Sequence, residues 1–311
     1  IKNKINLSGT FMKNLTLAAI SFALLLIISL SVISCNDDSE APTVLQLVSS
    51  TGQTYVSEDR KLAGGSPVNT GVYAQAPSAD VTLTNFKVTF TYDTTSKPNP
   101  INVVTYLDST LAPNTSTFAM VVPYVPRNQL NKEIWRFTIT DSKGKEYNKI
   151  INLSTTSANT TKSTIYTYTN VVLSRVKNPR NSLDSLGFVG FNSALGTSFP
   201  AYAVKQPSLN PLIDLFFNKS GTSKPSLSLA GIKGDSLRLT TLTSPEFDAV
   251  NNVSGLNSAY PAANPSYATI ENLQPNQVLA YKTVNNKVGL LRINTVYKTL
   301  DSLGFDVKVQ K

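Results

Sequence analysis

The chain reads as all-β: two tandem β-sandwich domains behind a cleaved N-terminal signal, a reading that rests on three observations. Short runs alternate apolar and polar residues with a period of two, which sets one side of each strand on a core and leaves the other wet. Clusters of Gly, Asn, Asp and Pro separate these runs at modest intervals. Outside the first 34 residues, no segment sustains a helical period. Of 311 residues, loss of those 34 leaves 277, more than one hydrophobic core usually serves.

The N-terminal element comes first. Lys13 supplies a cationic start, Leu15 to Ile33 form an uncharged run, and the only cysteine, Cys35, follows directly after Ser34. The run is long enough to cross a bilayer, but Thr16, Ser21, Ser29 and Ser31 weaken that alternative. Val32-Ile33-Ser34-Cys35 resembles the lipobox of bacterial lipoproteins. The resemblance implies cleavage before Cys35 and a lipid on its thiol, which makes the membrane a partner through that anchor. A triacylated cysteine carries enough chains for stable attachment. Asn36-Asp37-Asp38-Ser39-Glu40 is similar to the acidic tract that exports lipoproteins to the outer face of the outer membrane in Gram-negative gut anaerobes. Residues 1–34 are thus upstream residues plus signal, with Ile1 to Phe11 preceding its Met12, and residues 35–41 are a lipidated tether.

Two absences narrow the chemistry. With no histidine, a Ser-His-Asp triad, a Cys-His dyad and histidine-ligated metal sites are excluded. With the sole cysteine acylated, thiolate nucleophiles, disulfides and CxxC metal sites go as well. No cofactor, metal or catalytic residue is therefore expected, and only a carboxylate pair or a Ser-Lys arrangement survives as catalysis. Loss of Lys2, Lys4 and Lys13 with the signal lowers the net charge from +9 to +6. The remaining cations are scattered rather than run together, which argues against nucleic acid.

The first domain is expected over residues 42–153. Phe86, Val88, Phe90 and Tyr92 share one strand face, and Val81 and Leu83 precede them out of phase, which predicts a bulge near Thr84 and Asn85. Trp135, Phe137 and Ile139 alternate in a second strand. The turn Asp141-Ser142-Lys143-Gly144 then leads to a strand over Tyr147 to Leu153. Trp135 shares phase with Phe137 and Ile139 and is read as core. This closing hairpin resembles the end of the immunoglobulin-like domains that follow the lipobox in surface lipoproteins, which implies an immunoglobulin-like first sandwich.

Ser154 to Lys162 is poor in core-forming residues and reads as the linker, leaving residues 163–311 as a C-terminal β-sandwich, the expected binding domain. Its strands are expected at Ile165–Leu173, Phe188–Phe191, Ala201–Val204, Leu212–Phe217, Ser236–Leu242, Gln277–Val284, Val288–Val296 and Phe305–Gln310, with a tight hairpin at Asn285-Asn286. Ser244 to Tyr267 is rich in Asn, Ser and Pro and reads as a long structureless loop, the expected ligand surface. Tyr260 and Tyr267 would stack on sugar rings, while Asn251, Asn252 and Glu246 would bond hydroxyls. A loop packed on its own sandwich is the competing reading. Asp214 is the one acid inside a strongly apolar run, where Leu212, Asp214 and Phe216 would share a partly covered face; a buried functional acid is the alternative.

Leu183-Asp184-Ser185-Leu186-Gly187-Phe188 recurs as Leu300-Asp301-Ser302-Leu303-Gly304-Phe305, with a fragment at Gly234-Asp235-Ser236-Leu237; a shared turn into a strand accounts for it. These Asp-Ser-Leu sites, Asp93-Thr94-Thr95 and Asp108-Ser109-Thr110 resemble a short O-glycosylation acceptor. The whole outline resembles the two-domain cell-surface lipoproteins of Gram-negative gut anaerobes. The resemblance implies a non-catalytic binding or adhesion module whose partners are an extracellular glycan or a host or neighbouring surface protein. A fimbrillin-like subunit or pilus anchor, trimmed at Arg60, is the alternative, and a glycoside hydrolase or lyase is a third.

Overall fold

The structure is a computed structural model that describes residues 41–50, 55–92, 103–128, 131–156, 163–174, 187–220, 226–231, 236–297 and 301–311. The signal, Cys35 and its tether up to residue 40, residues 157–162 of the expected linker, the first hexapeptide up to residue 186, Gly234-Asp235 of its fragment and Asp93-Thr94-Thr95 lie outside the described residues. The fold is all-β, with strands stacked in sandwiches.

The first sandwich uses β1 (Val44–Val48), β2 (Arg60–Ala63), β3 (Val68–Gln75), β4 (Leu83–Tyr92), β5 (Val104–Thr110), β6 (Thr117–Tyr124), β7 (Asn131–Asp141) and β8 (Glu146–Thr156). A three-stranded sheet, β1-β3-β6, faces a five-stranded one, β2-β8-β7-β4-β5. Val72, Met120 and Val122 from the first meet Phe86, Val88, Phe90, Trp135, Phe137 and Ile139 from the second. The out-of-phase start of β4 produces the expected irregularity: its register against β7 shifts between Leu83 and Asn85. Trp135 is core, stacked between Phe90 at 4.9 Å and Tyr124 at 4.2 Å. Its indole N–H donates to buried Glu133 at 2.9 Å, so the ring is buried with no donor left unpaired. At the β7–β8 turn, Asp141 Oδ1 accepts from the amides of Lys143 and Lys145, and Gly144 takes φ of 77°, where a Cβ would be disfavoured.

The second sandwich uses β9 (Ile165–Ser174), β10 (Phe188–Asn192), β11 (Thr197–Pro200), β12 (Leu215–Ser220), β13 (Ser226–Gly231), β14 (Leu237–Leu239), β15 (Ser266–Tyr267), β16 (Thr269–Ile270), β17 (Val278–Lys282), β18 (Val288–Tyr297) and β19 (Ser302–Gln310). Sheet β11-β10-β12-β13-β16 packs on sheet β15-β14-β17-β18-β19-β9, with Phe191, Leu215 and Phe217 from one meeting Tyr281, Leu291, Ile293 and Phe305 from the other. The expected hairpin at Asn285-Asn286 is present: Thr283 N donates to Lys287 O at 2.9 Å, and Asn286 alone of the two takes positive φ, 61°.

Several expected strands are corrected. Ala201–Val204 is a short helix, α1, with Ala203 and Val204 buried. Leu212 closes a 3₁₀ turn, Asn210–Leu212, and β12 starts only at Leu215, so Leu212, Asp214 and Phe216 share no strand face. Strand β8 runs through Thr156, taking Ser154 to Thr156 from the expected linker into parallel pairing with β2.

Ser244 to Tyr267 is not structureless. It folds into α2 (Ser244–Ala249) and α3 (Val253–Ala259). These helices cover the outer face of β17 and β18, where Phe247, Val250 and Leu256 pack on Val278, Ala280, Val288 and Leu290. β17 and β18 are thereby buried on both faces. Lys308, itself buried, fastens the helices by donating to the carbonyls of Phe247, Asp248 and Val250 at 2.9, 2.8 and 2.7 Å.

Thr43–Lys311 forms one compact unit. Phe199 of β11, Ala203 and Val204 of α1, and Leu209 and Ile213 from the turns after it join the core that holds Phe90 and Trp135.

Candidate functional site

Three turns converge on Asp214. The β10–β11 turn brings Ser193, whose amide donates to Asp214 Oδ2 at 2.7 Å. The β17–β18 turn brings Val284, whose amide donates to Oδ1 at 2.8 Å. The 3₁₀ turn just before Asp214 swings its side chain inward, where only 2% of the residue is exposed. The expected half-covered acid is a buried one. Burial raises the Asp214 carboxyl above its ordinary value, and the Val284 and Ser193 amides oppose that rise. Ser193 Oγ and the Tyr281 hydroxyl lie 2.7 Å apart, and burial, then the nearby Asp214, push the Tyr281 phenol far above its usual range. Tyr281 therefore stays protonated.

Beside this cluster opens a cleft of about 520 Å³ between the first sandwich and the end of the second. Val104, Leu195, Leu212, Val309 and the Tyr166 ring are among its apolar walls, and Asn285 and Lys287 reach it from the β17–β18 turn. Its size and mixed lining suit a small organic ligand. Among the described residues Asp214 is the only acid lining it, and both of its oxygens already accept backbone amides. A two-carboxylate hydrolysis needs a second acid across the cleft, and the described lining residues include none. Among the described residues no three acidic, histidine or cysteine side chains cluster as metal ligands do.

No protein-family model matches the chain. No curated protein matches it either. Among solved structures, a DUF4466 family protein from Parabacteroides merdae aligns over 87% of this chain and 99% of its own, at 12% identity and a TM-score of 0.32. Murine CRIg aligns over 37% of this chain and 98% of its own, also at 12% identity, with a TM-score of 0.22. Both scores are too low to establish a shared fold.

The residues expected to bind sugar fall elsewhere and apart. Glu246 lies in the first turn of α2, where its Oε2 accepts from the Thr243 amide and hydroxyl, both at 2.7 Å. The Thr243 amide is the first cause that lowers its carboxyl below the usual range. Asn252 caps α3 by accepting from the Gly255 amide at 2.8 Å, and its own amide donates to Asn251. Tyr260 follows the far end of that helix, where its hydroxyl accepts from Arg238 Nε at 2.8 Å. Tyr267 pairs with Leu237, whose side chain is in the interior, whereas Arg238 pairs with Ser266. Tyr267 and Tyr260 thus belong to opposite faces of the sheet.

Arg60 opens β2, exposed, with Nη1 donating to Tyr55 O at 3.0 Å. Of the short acceptor motifs, Ser236 and Ser302 are buried, and Ser109 is half-buried on β5. Sequence reasoning missed the cleft because its lining comes from turns far apart in the chain. Only Asp214, conspicuous as an acid in an apolar run, signalled it.

Proposed function

We propose that this protein is a non-catalytic binding module of the outer-membrane surface, tethered by lipid on Cys35, with an immunoglobulin-like first sandwich and a ligand cleft beside Asp214. The carrying observation is that cleft: about 520 Å³, walled by apolar and polar side chains together, with one carboxylate already committed to two backbone amides. An extracellular glycan offers apolar C–H faces for Tyr166 and the valine walls, and hydroxyls for Asn285 and Lys287.

Two measurements test the reading separately. Radiolabelled palmitate enters the wild-type chain and not Cys35→Ala; failure to label would remove the tether. For the cleft, wild type and Ala194→Trp are titrated against a glycan array. Ala194 is exposed at the cleft wall, so the indole blocks the opening without entering a core. Loss of glycan capture in the variant supports the reading, and equal capture by both proteins, or none by either, refutes it.

A further inference from the structure

Arg238, on β14, is half-buried and held by neutral oxygens. Its Nε donates to the Tyr260 hydroxyl at 2.8 Å and its Nη1 to the Asn264 carbonyl. Lys282 stands two residues on from Ala280, the strand partner of Arg238, so the two cations share one face of the sheet. They converge on one aromatic ring: Arg238 Cζ lies 5.3 Å from the Tyr260 centroid and Lys282 Nζ lies 5.4 Å from it. Among the described residues neither is seen paired with an acid, unlike Lys87 with Asp108 or Arg292 with Asp248 and Asp306. A guanidinium has five N–H donors in a rigid fork, and the two contacts leave the others unassigned. The side chain is already oriented and part-desolvated, so an incoming anion meets little ordering cost.

We propose that Arg238, Lys282 and Tyr260 form an anion-recognition subsite for an acidic saccharide, with a carboxylate or sulfate between the two cations and the sugar ring at the tyrosine. This rests on the surface-module reading for access to such polymers. It adds a paired-cation site apart from the cleft, whose own lysines are Lys287 and Lys311. A strand residue apart, Lys282 faces this subsite and Thr283 lines the cleft, so one β17 end serves both.

Affinity electrophoresis of the full chain in gels containing dextran sulfate, polygalacturonate or neutral dextran tests it at about physiological ionic strength. The wild type is retarded by an acidic polymer and not by dextran; the polymer that acts distinguishes sulfate from carboxylate. Arg238→Gln with Lys282→Gln weakens retardation about tenfold or more, and Lys282→Gln alone, at an exposed position that leaves the Asn264 contact intact, about threefold. Lys149→Gln, an exposed cation on β8, leaves it unchanged. The proposal falls if neither acidic polymer retards the wild type, if Lys282→Gln binds like wild type, or if Lys149→Gln loses as much as Lys282→Gln. Each of those results leaves palmitate labelling and the Ala194→Trp comparison untouched, so the failure of this subsite is distinguishable from failure of the module.

Discussion

Replacing Asp214 by Asn keeps the shape of the side chain and removes half of its acceptor capacity. The two oxygens now receive Ser193 N at 2.7 Å and Val284 N at 2.8 Å; in the variant one amide N–H faces an NH₂. Loss of one charge-assisted bond costs about 1.5–3 kcal/mol and the stranded donor about 1–3 kcal/mol, while no longer burying a carboxylate returns part of both. The net expectation is a loss of about 3 kcal/mol. Urea unfolding at neutral pH reads it as a lower midpoint with unchanged slope, and the Ser193 and Val284 amides exchange hydrogen faster. The pH dependence has a definite sign. Because burial raises the folded-state carboxyl above its ordinary 3.8, its stabilising contribution is complete below that value and declines as pH rises through the folded one. The gap between wild type and Asp214→Asn is therefore widest in acid and narrows toward neutrality. A stability change under about 0.5 kcal/mol with unaltered exchange at both amides would refute the reasoning.

Three further outcomes follow from the same geometry. Lys308→Met strips three donors from the carbonyls of Phe247, Asp248 and Val250, so amide exchange across α2 and α3 accelerates by the equivalent of about 2–4 kcal/mol while β3, β4 and β7 stay protected. Gly196→Ala, at φ of 61° and with a Cβ only 2.4 Å from the Tyr168 ring, loses about 2–4 kcal/mol in urea unfolding as the β10–β11 turn is forced to move. Tyr281→Phe removes the hydroxyl 2.7 Å from Ser193 Oγ, costing about 1–2 kcal/mol by the same assay.

Alternation made the first sandwich legible. Phe86, Val88 and Phe90 are buried on one face while the intervening Lys87 and Thr89 are not, and the phase break at Leu83 marked its bulge. Legibility failed where burial is two-sided. The unbroken apolar run Val278-Leu279-Ala280-Tyr281 sends alternate residues into two different clusters, which demands a cover on each side. That cover was α2 and α3, built from a segment read as a loop on its Asn, Ser and Pro content. Its caps, Thr243 with Glu246 and Asn252 with Gly255, were written in those polar residues. The cleft was illegible for another reason: Ser193, Asp214 and Val284 meet through tertiary folding, and no local pattern encodes their proximity.

The ring of Phe199, 6.1 Å from Tyr106 and 6.4 Å from Phe90, plugs the earlier sandwich with a residue supplied by the later one. A gene cut at the codons for 157–162 would yield an upstream product with bare aromatic surface at Tyr106, prone to clump, and a downstream product missing the groove that seats Phe199. Inheritance and engineering alike must move both halves as a single cassette.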